Sequence, residues 1–133
     1  WRERLMKPFR FSTRSKRNLE GLHPDLIAVA HRALELSPLD FVVTEGLRSV
    51  TRQKQLFAAG ASKTMNSRHL TGHALDVAAL VAGQVRWDWP LYAQISAAFK
   101  QAALERGVAL IWGGDWASLK DGPHFELDRR AYP

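Results

Sequence analysis

Apolar positions along this chain come in short blocks whose spacing alternates between helical and extended. From Pro24 to Leu36, Leu26, Ile27, Ala30, Ala33 and Leu34 recur three or four apart after a proline in the first turn, which predicts a helix with one buried stripe. His31 on that helix is expected at the surface. Phe41-Val42-Val43-Thr44 is short and β-branched, bounded by Pro38 and Gly46, and reads as a buried strand. A second helix is expected from about Thr51 to Ala59, closed by Gly60, with a polar loop from Ala61 to Arg68. After Gly72 the pattern turns extended: Ala74 and Asp76 share one face, and His73, Leu75 and Val77 the other. A third helix, Pro90 to Arg106, is expected to bury Ile95, Phe99, Ala102 and Ala103 and to stop at Gly107. Val108 to Trp112 then reads as a strand. After a Gly-Gly-Asp-Trp turn, His124 to Leu127 reads as the last one, with His124 and Glu126 on a common face. The pattern predicts an α+β domain with a small, mostly antiparallel sheet and packed helices.

The chain has 133 residues, 46% of them hydrophobic, without repeats or a Gly/Ser/Pro-rich linker, which suits one domain over residues 11–133. No apolar run approaches the roughly 18 residues of a membrane span. The start lacks the apolar stretch of a signal peptide, so the sequence reads as soluble and not self-exporting. Met6-Lys7-Pro8-Phe9 resembles a natural start, so residues 1–5 read either as an addition or as a read-in from upstream. Charge is uneven: residues 1–17 hold seven basic groups against Glu3 alone, and the remainder carries twelve of each sign. The body is therefore neutral and the arm, residues 1–10, leads the basic stretch. That distribution excludes a uniformly basic nucleic-acid-binding surface but suits attachment of the arm to an anionic polymer.

With no cysteine, disulfides, thiolate metal clusters and cysteine nucleophiles are excluded, and any metal must be held by histidine and carboxylate. The densest chemical run is Ser67 to Asp76, read together with Asp121-Gly122-Pro123-His124. A catalytic zinc takes three protein ligands at about 2.0–2.2 Å and keeps a fourth position open. His69, Asp76 and His124 supply such a set. Strand alternation puts the small residues Gly72 and Ala74 on the face of Asp76 and turns His73 away with Leu75 and Val77, so His69 is preferred over His73. Two isolated histidines would more often be ordinary surface or hydrogen-bonded groups.

The combination carries more weight. Ser-x-His-x-x-Gly-x-Ala-x-Asp at 67–76 with Asp-x-x-His at 121–124 resembles the zinc-dependent D-alanyl-D-alanine metallopeptidase family, and within it the phage endolysins that cleave the L-alanyl-D-glutamate bond of peptidoglycan. Further matches are Gly-x-His-Pro-x-Leu at 21–26, Glu-Gly-x-Arg-Ser at 45–49, Gln53 with Gly60 downstream, and Trp-Gly-Gly-Asp-Trp at 112–116, in family order from about Phe11 to Leu127. The resemblance implies a hedgehog/D,D-peptidase-like zinc peptidase fold, one zinc per chain on His69, Asp76 and His124, and Asp121 as the catalytic carboxylate. Many relatives carry Glu at that position; Asp favours the endolysin branch and leaves Glu126 as a competitor for the role. Arg48 is expected to stabilise the oxyanion of the tetrahedral intermediate. Ser67 and Gln53 are expected to contact substrate or support the ligands, Ser67 alternatively capping the next turn. Trp112 and Trp116 wall a peptide groove or belong to the core.

The implied activity is hydrolysis of peptidoglycan stem peptides by a monomeric zinc endolysin. It would be held in the host cytoplasm until lysis and would then act at the cell wall or periplasm, its basic arm drawn to anionic envelope polymer and no specific nucleic acid involved. The alternatives are a D-alanyl-D-alanine carboxypeptidase or dipeptidase, and a non-catalytic zinc-containing binding module.

Overall fold

The computed structural model describes residues 9–133. Most of the basic arm lies outside them, although Phe9 packs partly buried against the core. In chain order the elements are α1 (Thr13–Leu19), α2 (Pro24–Leu36), β1 (Asp40–Glu45), α3 (Val50–Ala58), a 3-10 turn (Arg68–Thr71), β2 (Ala74–Val81), β3 (Gln84–Arg86), α4 (Trp89–Arg106), β4 (Leu110–Trp112), a second 3-10 turn (Gly113–Asp115) and β5 (His124–Leu127).

The sheet runs β1-β2-β5-β4, with β3 also on β2, and every pairing is antiparallel. Leu75, Val77, Phe125 and Leu127 point from one face into the core, meeting Phe41 and Val43 of β1 and the helices α2 and α4. Phe41, Phe99 and Phe125 form an aromatic column through that core, with centroid separations of 5.5 and 3.9 Å. A buried side chain of this size contributes about 1.5–3 kcal/mol through removal from water. The column therefore anchors the strand residue that lies between His124 and Glu126.

The opposite face near the β1 and β5 ends of β2 is polar. Asp76 pairs with Glu45 on one side and His124 on the other, so these three side chains form a row across three strands. That row depends on an irregularity in β1: Val43 pairs with Val77, yet Glu45, not Thr44, pairs with Asp76. The extra residue turns Glu45 from the core face to the polar one.

Two elements were absent from the sequence expectations. Helix α1 reads TRSKRNL, and it buries only Ser15 and Leu19, so it shows no apolar stripe. Its stability comes from tertiary bonds: Ser15 Oγ accepts from Val43 N at 2.9 Å and Asn18 Nδ2 donates to Val43 O at 2.8 Å, closing the free edge of β1. Strand β3 is exposed at all three positions and pairs with β2 through an Ala82-Gly83 turn in which both residues have positive φ, 52° and 77°. Ala82 is an unusual occupant of such a turn, so the sequence signal was weak. The expected polar loop ends in a 3-10 turn over Arg68–Thr71, capped by Ser67, whose Oγ accepts from His69 N at 3.2 Å. The turn closes at Gly72, φ +76°, where a side chain would press a Cβ to 2.8 Å from Gly21 O.

Candidate metal centre

The 3-10 turn, β2 and β5 deliver His69, Asp76 and His124 to one point, where a donor atom from each lies within 4.8 Å of the others. His69 Nε2 is 3.3 Å and His124 Nδ1 3.0 Å from the same oxygen, Asp76 Oδ1. Ligands about 2.1 Å from a tetrahedral centre stand roughly 3.4 Å apart, so these spacings fit one zinc-sized ion with little adjustment.

The remaining ring nitrogens are fixed from behind. His69 Nδ1 lies 2.9 Å from Gly46 O, and His124 Nε2 lies 2.8 Å from Glu126 Oε1. With a metal at the centre, each ring would give its N–H to that acceptor and its lone pair to the ion, the tautomers a metal requires. The chain near Gly46 grips His69 twice, since Arg48 N also donates to His69 O at 2.9 Å. Gly46 is glycine for a packing reason: a Cβ there would collide with the Asn18 carbonyl oxygen. Glu126, a rival to Asp121 in the sequence, commits one carboxylate oxygen to His124.

His69 and His124 are nearly sealed from solvent, at 2% and 7% exposed. Burial alone would lower the His124 pKa, but hydrogen bonds and charge from Asp76 and Glu126 outweigh it and raise it to about 9. Burial would likewise raise Asp76, yet hydrogen bonds from His124 and His69 hold it well below the usual carboxylate range. Without a metal, the site therefore holds a proton between Asp76 and His124.

Around this point opens a cavity of about 860 Å³ whose walls include Arg48, Ser67, Trp116, Asp121 and Glu126. Asp121 enters from a turn held by Asp121 N donating to Gly113 O at 3.0 Å and His124 N to Asp121 O at 3.2 Å. Burial first, then the Asp76 charge, pushes the Asp121 carboxyl upward. Arg48 is pinned on two sides: Nε donates to Glu45 Oε1 and one terminal nitrogen to Gln53 Oε1, both at 2.7 Å. Its other terminal nitrogen faces Asp76 Oδ2 at 3.9 Å. Gln53, fully buried, spends its amide nitrogen on Ser62 Oγ and Thr64 O, so it ties Arg48 to the loop and does not line the cavity. Ser67 caps the turn carrying His69 and lies 3.5 Å from Arg48.

The two tryptophans part company. Trp116 lines the cavity with its ring 5.2 Å from that of His124. Trp112 is instead a core residue, donating its indole N–H to Gly122 O at 2.7 Å and tilted by 34° against the Trp89 ring. His73 stays on the other side of the sheet beside His23, its Nδ1 on Thr71. Sequence reading missed Arg68, which is buried directly before His69 and donates to the carbonyls of Leu127 and Tyr132.

The sequence profile of the phage L-alanyl-D-glutamate peptidases matches residues 7–132. The L-alanyl-D-glutamate peptidase of Escherichia phage T5 is 38% identical over 128 residues, covering 93% of both chains. Among solved structures, the L-Ala D-Glu endopeptidase ChiX of Serratia marcescens superposes with a TM-score of 0.90 at 53% identity over 96% of each chain. The D,D-dipeptidase VanXYg, at 20% identity and a TM-score of 0.53 over 80% of this chain and 50% of its own, shares the fold alone.

Proposed function

From the premise that this chain belongs to the phage L-alanyl-D-glutamate peptidase family, we propose that it hydrolyses the L-alanyl-D-glutamate bond of peptidoglycan stem peptides with one zinc held by His69, Asp76 and His124. The observation that carries the reading is the convergence of Asp76 and two buried histidines, each ring backed by a fixed acceptor, on a cavity that also presents Asp121 and Arg48.

A zinc bound there would polarise the scissile carbonyl and make water acidic enough to attack near neutral pH. Asp121 takes the proton of the attacking water and passes it to the departing D-glutamate amine, a role to which its raised proton affinity is suited. Arg48, held by Glu45 and Gln53, aims its remaining nitrogen into the cavity, where it stabilises charge developing on the carbonyl oxygen. Ser67 and Gln53 position Arg48, and Trp116 provides an apolar wall for the peptide. The place of action is the cell wall, and among the described residues no helix is long and apolar enough to cross a membrane.

Mass spectrometry of digested peptidoglycan tests the reading. New amino-terminal D-glutamate or D-isoglutamine is expected. Release of free D-alanine would make the protein a carboxypeptidase, and an unchanged digest with zinc present would make it a binding module.

A further inference from the structure

The cavity wall carries both carboxylates and cations, and most of them are already engaged. Of its four carboxylates, Glu45 is bound to Arg48, Asp76 to both histidines and Glu126 to His124, while Asp121 sits half-buried beside them. Three cations are engaged as well: Arg48 as described, Arg68 on main-chain carbonyls, and Arg129 on Asn66 O at 3.0 Å. Lys63 and Lys120 remain. Both are exposed residues of the cavity wall, one in the loop after α3 and the other in the loop before Asp121, and among the described residues neither ammonium has an ion-pair or hydrogen-bond partner.

The second loop is shaped at some cost. Leu119 has φ +53°, in the left-handed region that a leucine occupies at an expense of about 1–3 kcal/mol, and its side chain is exposed on the same wall. The strained residue fixes the path of the chain directly into Lys120 and Asp121. The other cations of the wall being engaged, a substrate carboxylate lying beyond the metal finds unclaimed side-chain positive charge at these two lysines.

We infer that Lys63 and Lys120 read the free carboxylate of the substrate's D-glutamate, so that the cavity selects acidic stem peptides over amidated ones. D-Glutamate has two carboxyl groups. One continues the stem peptide, and the other is an anion unless the wall amidates it to D-isoglutamine. The ammonium is a compact point charge on a flexible stem, suited to reading the presence of a charge without fixing its geometry. This inference rests on the peptidase reading above and adds its specificity.

The test uses the zinc-loaded protein and two soluble stem peptides identical except for D-glutamate or D-isoglutamine. The wild type is expected to favour the acid roughly fivefold to tenfold in kcat/KM, through KM, as two partly exposed charge contacts allow. The preference should fade as added salt shortens the Debye length from about 10 Å at 0.1 M towards 3 Å at 1 M. Combining Lys63→Gln with Lys120→Gln should bring the two peptides level with kcat for the acid unchanged, and the corresponding double change to Arg should keep the preference. Equal cleavage of both peptides by the wild type overturns the inference and leaves the peptidase reading standing. A glutamine double variant that keeps the preference, or that slows both peptides alike through kcat, also overturns it. A wild type that cleaves neither peptide removes the peptidase reading and this inference together.

Discussion

At the scale of single residues, the proposed centre would separate holding a metal from moving a proton. His124→Ala removes a donor and is expected to abolish stoichiometric zinc, whereas His73→Ala, whose ring lies beside His23 on the far side, should retain it; elemental analysis of dialysed protein distinguishes them. Zinc retained by the first or lost by the second would reverse the ligand assignment. Asp121→Ala should keep zinc and lower turnover about 10²–10⁴-fold, the usual contribution of a positioned proton carrier. Glu126→Ala should act differently, loosening the metal because His124 Nε2 loses its acceptor. An Asp121→Ala protein near wild-type rate, beside a fully metallated but dead Glu126→Ala, would exchange their roles. That His69, Asp76 and His124 come together was legible from the motif spacing, with strand alternation placing Asp76. The support of Arg48 was not: Gln53 reaches it across the start of a helix, and nothing in the spacing of residues 48 and 53 says which will be buried.

At the scale of elements, the helices and strands with a periodic apolar face were read from sequence to within a residue or two. Helix α1 and strand β3 were not, because their stabilising partners lie elsewhere in the chain. The bulge in β1 was equally hidden, since Thr44 and Glu45 are both polar and only the pairing with β2 decides which one joins the row with Asp76. The short turn carrying His69 is the element most exposed to a single change. Gly72→Ala puts a side chain on a left-handed residue and drives its Cβ against Gly21 O, so a loss of about 1–3 kcal/mol is expected in urea unfolding, accompanied by weaker zinc binding. A variant as stable as the wild type would show that this turn relaxes without consequence.

At the scale of the whole molecule, a zinc at the proposed centre would compete with a proton for the same place. In the metal-free protein His124 binds its proton up to about pH 9, above the roughly 6.5 of an unfolded histidine. That contribution to stability is complete below the unfolded value and is lost as pH rises through about 9. Zinc must displace the proton, so its apparent affinity should climb over the same interval, and the thermal shift on adding zinc should widen with it. Calorimetric titration in buffers of different ionisation enthalpy reads the released proton directly; a flat affinity between pH 6.5 and 9 would contradict this protonation scheme. A slower form of control follows from Arg68. Its guanidinium reaches from the residue before His69 to the carbonyl of Tyr132, whose hydroxyl is in turn bonded to Asp25, while Arg68 Nε already lacks a partner. The segment at Tyr132 thus works as a tamper seal on the proposed centre: its loss would take one of two carbonyl acceptors from a buried charge beside His69, at a cost of about 1–3 kcal/mol. Zinc content should then decay in step with the loss of terminal mass during timed carboxypeptidase digestion, well before the aromatic column in the core gives way.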